Sequence, residues 1–258
     1  MKKLRKGSKG LRVKALQRRL NRAEIVLDRR RRRVNLKVDG DFGDATERAV
    51  KLYERSHGLP ADGIVGRAIA RKLNLRRTYL RLRRQRAMAR TGVVTRAEWG
   101  AQPPRGSIGG VVEPVHRYFL HCTVTGVMPK DATMAEEKAA MRNLQGIAFG
   151  RDFYDISYSF IVFPSGRIYE GRGWDKAGAH TEGYNSTAYA TAAYIPCAGE
   201  AVSDALIASL VKVGRIGRRN GSVAGDVVVL GHRDVSAKSC PGQPIYNRKA
   251  HIQRSVRA

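Results

Sequence analysis

The chain has 258 residues, with 49 Lys+Arg against 22 Asp+Glu, a formal charge of +27, and 42% apolar residues. That is enough apolar side chain for one large or two smaller cores, which excludes a wholly disordered polyelectrolyte. No apolar run approaches the roughly 18–20 residues that span a bilayer, and the basic start MKKLRKGSKGLRV lacks the apolar stretch of a secretory signal. A protein made and kept in the cytoplasm is the expectation. The charge is uneven: residues 1–90 carry 29 Lys+Arg and 8 Asp+Glu, a net +21, and residues 91–258 carry only +6. A boundary near residue 90 follows, and the basic part is expected to adhere to polyanions.

In chain order, Leu16 and Leu20 sit four apart on a first helix. Two Asp-Gly turns follow, Asp39-Gly40 and Asp62-Gly63, where glycine accepts a positive φ. After the first, Asp44 and Glu47 have the spacing of an N-cap with a capping box, ahead of Ala49, Val50 and Tyr53. After the second, Ile69 and Leu73 share a helix face. Three short helices are predicted, with the run Arg29 to Arg33 in a loop because its charges repel one another. Residues 76–92 read as a basic linker, helical in part and closed by Gly92.

Beyond Val93 the apolar runs Tyr118–Leu120, Ile161–Phe163 and Val227–Leu230 read as buried strands. Pro164-Ser165-Gly166 is a turn into a further strand carrying Ile168 and Tyr169. Between them lie two helices: one opened by Thr133 and Glu136, one carrying Leu206, Ile207, Leu210 and Val211 after Ser203. The fold class is α/β, a C-terminal mixed sheet flanked by helices, with a small N-terminal three-helix domain. The division is 1–75, 76–92 and 93–258.

Candidate chemistry gathers at strand ends. His121 follows Tyr118-Phe119-Leu120, His232 follows Val227–Leu230 and Gly231, and Cys240 comes eight residues later. Two imidazoles and a thiolate suit zinc and leave a fourth position for water. Singly, each residue reads equally well as a packed structural side chain. Three cysteines form no disulfide framework, so Cys122 and Cys197 are expected to be buried free thiols.

The words around these residues resemble the zinc-dependent N-acetylmuramoyl-L-alanine amidases, the family of phage lysozyme-type amidases and animal peptidoglycan recognition proteins. The carriers, in order, are Thr95–Ala101 (TRAEWGA), Phe119–Thr123 (FLHCT), Ile156–Phe160 with Tyr169–Trp174, and Gly231–Asp234 with Ser239–Gly242. The resemblance covers about residues 93–250. It implies one zinc per chain on His121, His232 and Cys240. It also implies catalytic roles for Tyr158 and Lys238 as donors toward an oxyanion, and substrate contacts at His180, at the mouth of the site, and at Trp174. His57, His116 and His251 have no motif support. The strand at Ala188–Ile195 (AYATAAYI) is less aliphatic than the family's.

Residues 7–75 resemble the three-helix peptidoglycan-binding domains attached to such hydrolases, through VDGDFG at 38–43, AVKLY at 49–53 and LPADGIVG at 59–66. They depart from them in the arginine run and at Ala68. The implied whole is a monomeric phage endolysin that cleaves between N-acetylmuramic acid and L-alanine. It would reach the wall from the host cytoplasm through a membrane lesion made by another protein. Its partner is bacterial peptidoglycan, with weak nonspecific binding to nucleic acid or anionic wall polymers as a by-product of charge. The competing expectations are a non-catalytic recognition protein and a basic nucleic-acid-binding protein.

Overall fold

The computed structural model describes residues 3–26, 33–88, 90–123, 126–198 and 202–258. They divide into two compact units, Met1–Arg86 and Ala87–Ala258. The first contains helices α1 (Leu11–Arg22), α2 (Asp44–Ser56) and α3 (Arg67–Lys72), and α4 (Leu75–Met88) starts in it. Val13, Leu16 and Leu20 fall on one stripe of α1 and bury against Phe42, Val50, Tyr53, Val65 and Ile69.

The two Asp-Gly turns are held in the same way, each by a buried polar side chain from a helix. Gln17 Nε2 donates to Asp39 Oδ1 at 2.8 Å while its Oε1 accepts from Gly40 N at 2.9 Å. Glu54 Oε2 accepts from Gly63 N at 2.9 Å. Two expectations change here. Gly43, not Asp44, is the N-cap of α2, and no side-chain cap bond forms. Asp44 is the first helical residue and pairs with Lys6, where its charge still favours the helix N-terminus. Helix α4 occupies most of the basic segment and ends at Met88, four residues before Gly92. Of the arginine run, Arg29–Arg32 lie outside the described residues.

The second unit opens with a one-turn helix, α5 (Arg96–Trp99), started by a Thr95/Glu98 capping box. Its sheet has five strands: β1 (Val115–Cys122), β2 (Phe160–Val162), β3 (Ile168–Glu170), β4 (Ala188–Ala193) and β5 (Val223–Gly231). The order is β3-β2-β4-β1-β5, with only the β2–β3 pair antiparallel. Helix α6 (Met134–Gly150) starts at the expected Thr133/Glu136 capping box. Helix α7 (Asp204–Asn220) starts at Ser203, whose hydroxyl accepts from Leu206 N. Two short helices, α8 (Gln243–Asn247) and α9 (Lys249–Arg257), end the chain.

Alternation along the strands decides which side chain meets which layer. Tyr118, Leu120, Phe160, Val162, Ile168 and Tyr189 face α7 and α9 and form the largest core. Ile161 and Tyr169 face the other way, against Met141 and Leu144 of α6. Phe119 also points away from α7, packing with Ala188, Ala190 and Tyr184. His121, two residues on, shares its side of the sheet.

Candidate metal centre

Parallel strands bring their carboxyl ends to one edge of the sheet, and the candidate ligands come from there. His121 is the penultimate residue of β1 and only 1% exposed. His232 opens a 3-10 turn directly after β5. Cys240, 7% exposed, lies on the loop that returns to β5. That return is tight: a Cβ on Gly231 would sit 2.8 Å from Pro241 Cδ. Asp234 fixes the turn, accepting from Gly231 N at 2.8 Å, from Tyr246 Oη at 2.6 Å and from Lys249 Nζ at 2.7 Å.

The donor atoms of His121, His232 and Cys240 all lie within 4.8 Å of one another. Cys240 Sγ is 3.4 Å from His121 Nδ1, and the His121 and His232 rings are 4.7 Å apart. Burial holds the His121 pKa well below the usual imidazole range, helped by the positive surroundings of His180, His232 and Lys238. Burial and Lys238 lower His232 as well. Both shifts favour the neutral ring, the form that ligates.

Behind His121 runs a short hydrogen-bonded chain. Thr181 Oγ1 is 3.2 Å from His121 Nε2 and 3.0 Å from His180 Nδ1. With Nε2–H of His121 donating to the hydroxyl, and the hydroxyl donating to His180, the Nδ1 lone pair of His121 is left facing Cys240 and His232. Burial pushes the Cys240 thiol pKa up, while the Cys122 N–H, Lys238 and Arg233 oppose this. A pair of imidazoles in the neutral form and a buried thiol that a bound cation would hold as thiolate are the donor set of a zinc site with three protein ligands. The residues fit that ion.

Tyr158 stands beside the ligands, its ring 5.2 Å from that of His121 and its hydroxyl donating to Cys122 O at 3.4 Å. Burial raises its pKa, so the phenol keeps its proton. Lys238 is exposed, and its charge is felt at His121, His232 and Cys240. Tyr158 also borders a groove of about 380 Å³ lined by Thr123, Asn143, Leu144, Arg151 and Phe153.

Three expectations are corrected. His180 is not at the mouth: it is 6% exposed, its pKa is lowered to about 4 by burial, and its ring lies over Gly178, where any Cβ would collide with it. Trp174 is a core residue, 8% exposed and packed edge-on against Tyr189 and tilted against Phe160, so it presents no face to a ligand. Cys122 and Cys197 are not free thiols but a disulfide, with Cα atoms 5.5 Å apart. The register explains the pair: Cys122 lies opposite Ala193 of β4, four residues before Cys197.

Sequence reasoning missed Thr181 and Arg172. Arg172 is buried and donates to Ile156 O at 2.6 Å, Ala177 O at 2.7 Å and Asp155 O at 3.2 Å, tying the Tyr158 segment to the His180 loop. Arg172 lies within the motif Tyr169–Trp174 and Thr181 directly follows His180, and those placements are the signal the sequence carries.

Residues 112–243, just over half of the chain, match the N-acetylmuramoyl-L-alanine amidase family. The chain belongs to that family. Residues 9–73 match the peptidoglycan binding domain family. Among curated relatives, a pig N-acetylmuramoyl-L-alanine amidase is 33% identical over 154 residues, 59% of this chain and 26% of the relative. The chain thus spans about a quarter of that amidase. A Bombyx mori peptidoglycan recognition protein is 32% identical over 157 residues, 60% of this chain and 78% of the relative. Among solved structures, Drosophila peptidoglycan recognition protein SD aligns with a TM-score of 0.57 and 29% identity, covering 63% of this chain and 93% of that one. Peptidoglycan recognition protein LE, solved with tracheal cytotoxin, a monomeric diaminopimelic acid-type peptidoglycan, gives 0.58 and 25%, covering 64% and 94%. The amidase match therefore includes all three candidate ligands, Tyr158 and Lys238.

Proposed function

We propose that this chain is a zinc-dependent amidase that hydrolyses the bond between the lactyl group of N-acetylmuramic acid and L-alanine, and that it acts as a phage endolysin. The observation that carries the reading is the convergence of His121, His232 and Cys240 donor atoms within 4.8 Å on a sheet edge beside an open groove. His121, His232 and Cys240 would hold one zinc ion. When bound, zinc supplies Lewis acidity that activates water and polarises the amide carbonyl.

The chain's own residues do the rest. The Thr181 hydroxyl fixes the tautomer and orientation of His121. The protonated Tyr158 phenol and the Lys238 side chain would donate to the oxygen that gains charge as the carbonyl is attacked. The groove beyond Tyr158 has room for a peptide, with the Leu144 and Phe153 side chains for apolar contact and the Arg151 guanidinium for a carboxylate. His180 is a positioning residue behind Thr181, its Nδ1 3.0 Å from the Thr181 hydroxyl.

The N-terminal residues 1–75 would hold the enzyme on the wall, followed by the basic segment 76–92 and the catalytic domain 93–258. Among the described residues no helix is long and apolar enough to cross a membrane. The endolysin reading routes the chain from the host cytoplasm through a lesion made by another protein. We read the working form as a monomer, with weak salt-sensitive adhesion to nucleic acid from its charge. Mass spectrometry of digested wall tests the activity: an amidase frees the amine of L-alanine and leaves glycan strands intact. Release of reducing sugar ends, or binding with no cleavage at all, would overturn the reading in favour of a glycosidase or a recognition protein.

A further inference from the structure

The proposed chemistry uses Cys240 and leaves the Cys122–Cys197 bridge idle, yet the three sulfurs form one cluster. Their Sγ atoms all lie within 4.8 Å of one another, and Cys240 is the free thiol of the set. The Cys240 loop is fastened to both halves of the bridge. Cys122 N donates to Cys240 Sγ at 3.3 Å. Gly242, at φ +89°, passes so close to Cys197 that a Cβ there would lie 2.7 Å from its carbonyl oxygen. A thiol within 4.8 Å of a disulfide, on a loop fastened to both of its halves, can reach a bridging sulfur by a small shift of that loop.

We propose that Cys122, Cys197 and Cys240 form an intramolecular thiol–disulfide exchange site, in which Cys240 attacks the Cys122–Cys197 bridge and a metal ion competes for the same sulfur. The Cys240 thiolate forms a new S–S bond to one bridging sulfur as the old bond breaks. The electron pair of the broken bond leaves on the other cysteine, which takes up the proton that Cys240 gave up. The step is an isomerisation, with no net oxidation and no outside reagent. Its products are Cys240–Cys122 with Cys197 free, or Cys240–Cys197 with Cys122 free. Either one removes the sulfur ligand from the His121/His232 pair. With a metal ion bound, the Cys240 lone pair is engaged and the native bridge is trapped. Only this competition rests on the zinc reading; the exchange itself rests on the sulfur cluster.

The test uses the full chain, stripped with a chelator and then divided, with zinc restored to one half. Both halves stand for hours in mildly alkaline buffer without added thiol or oxidant, the timescale of uncatalysed disulfide rearrangement. They are then quenched in acid, unfolded, alkylated and digested without reduction. In the metal-free half, peptides linking Cys240 to Cys122 or Cys197 should grow with time, with alkyl label on the released cysteine. Their yield should exceed that of the zinc-loaded half by about tenfold, because bound metal withdraws the attacking sulfur. Label on Cys240 alone in both halves overturns the exchange site. Equal exchange in both, with zinc retained, overturns the competition. Failure of the protein to retain zinc would count against the zinc reading, while the metal-free half still scores the exchange.

Discussion

At the scale of single residues, the proposed centre would depend on groups that hold protons as much as on groups that hold metal. Tyr158→Phe and Lys238→Ala each remove one donor without touching a ligand. Turnover should fall by about 10²–10³ while zinc content stays near one per chain. Turnover within twofold of the parent for both would remove them from the mechanism. Thr181 is a different case, because it touches only the far nitrogen of His121. Thr181→Val should weaken zinc binding by about 10–100-fold in a chelator competition, and Thr181→Ser should restore it. His180 gives a pH signature. Its pKa falls from 6.5 unfolded to about 4 folded, so the unfolded chain binds more protons between those values. Stability is therefore whole above about pH 6.5 and is lost as pH drops toward 4, by at most about 3 kcal/mol from this one ring. Thermal melts of the metal-free protein should slope downward across that window, and less steeply in His180→Asn. Identical slopes would show that the ring does not carry the effect.

At the scale of elements, what could be read in advance depended on how local the cause was. Capping boxes at Thr133/Glu136 and the turn at Pro164-Ser165-Gly166 are decided by three or four neighbours, and they stand where the residues placed them. Asp44 had the same spacing, but the Lys6 ammonium from another segment claims its carboxylate, so Gly43 caps instead. The convergence of His121, His232 and Cys240 was legible because family words surrounded them. Thr181, Arg172 and the disulfide were not, since each acts across 16 to 75 positions of chain. Trp174 and His180 carry family words too, yet only packing reveals which way a ring faces. Glu137 shows how much one long-range group can hold: fully buried on α6, it accepts from Ser165, Arg167 and Tyr169 on the turn and strand opposite. Glu137→Ala strands those donors and should cost about 2–4 kcal/mol, discounted because the Arg167 side chain is one-third exposed. Unfolding midpoints in denaturant would register the loss, and an unchanged midpoint would mean the three donors find water.

At the scale of the whole molecule, two units with separate cores imply separable duties. Residues 93–258 alone should retain zinc and hydrolyse soluble muropeptide, since every proposed catalytic group lies within them. Against intact wall the same fragment should be slower than the full chain, having lost the gain in local concentration that a second attachment gives. Residues 1–90, with a net +21, should bind purified wall in part through salt-sensitive attraction, screened over about 8 Å at physiological ionic strength, and in part through contacts that persist in high salt. Equal binding to wall and to DNA, vanishing together with salt, would reduce this unit to a cationic arm.

The alternation of β1 has a consequence for how such a protein can change over generations. Leu120 serves the core, His121 the candidate metal centre and Cys122 the bridge, on three consecutive residues. An inserted or deleted residue upstream in this strand would exchange their faces, ruining fold and chemistry in a single event. A point substitution at His121 does the opposite, leaving the strand's register and the Leu120 side untouched. If the proposed function holds, inheritance along this strand is lopsided: its lineage is protected against losing its shape while keeping its activity, and stands one nucleotide away from a folded, silent binder of the same wall.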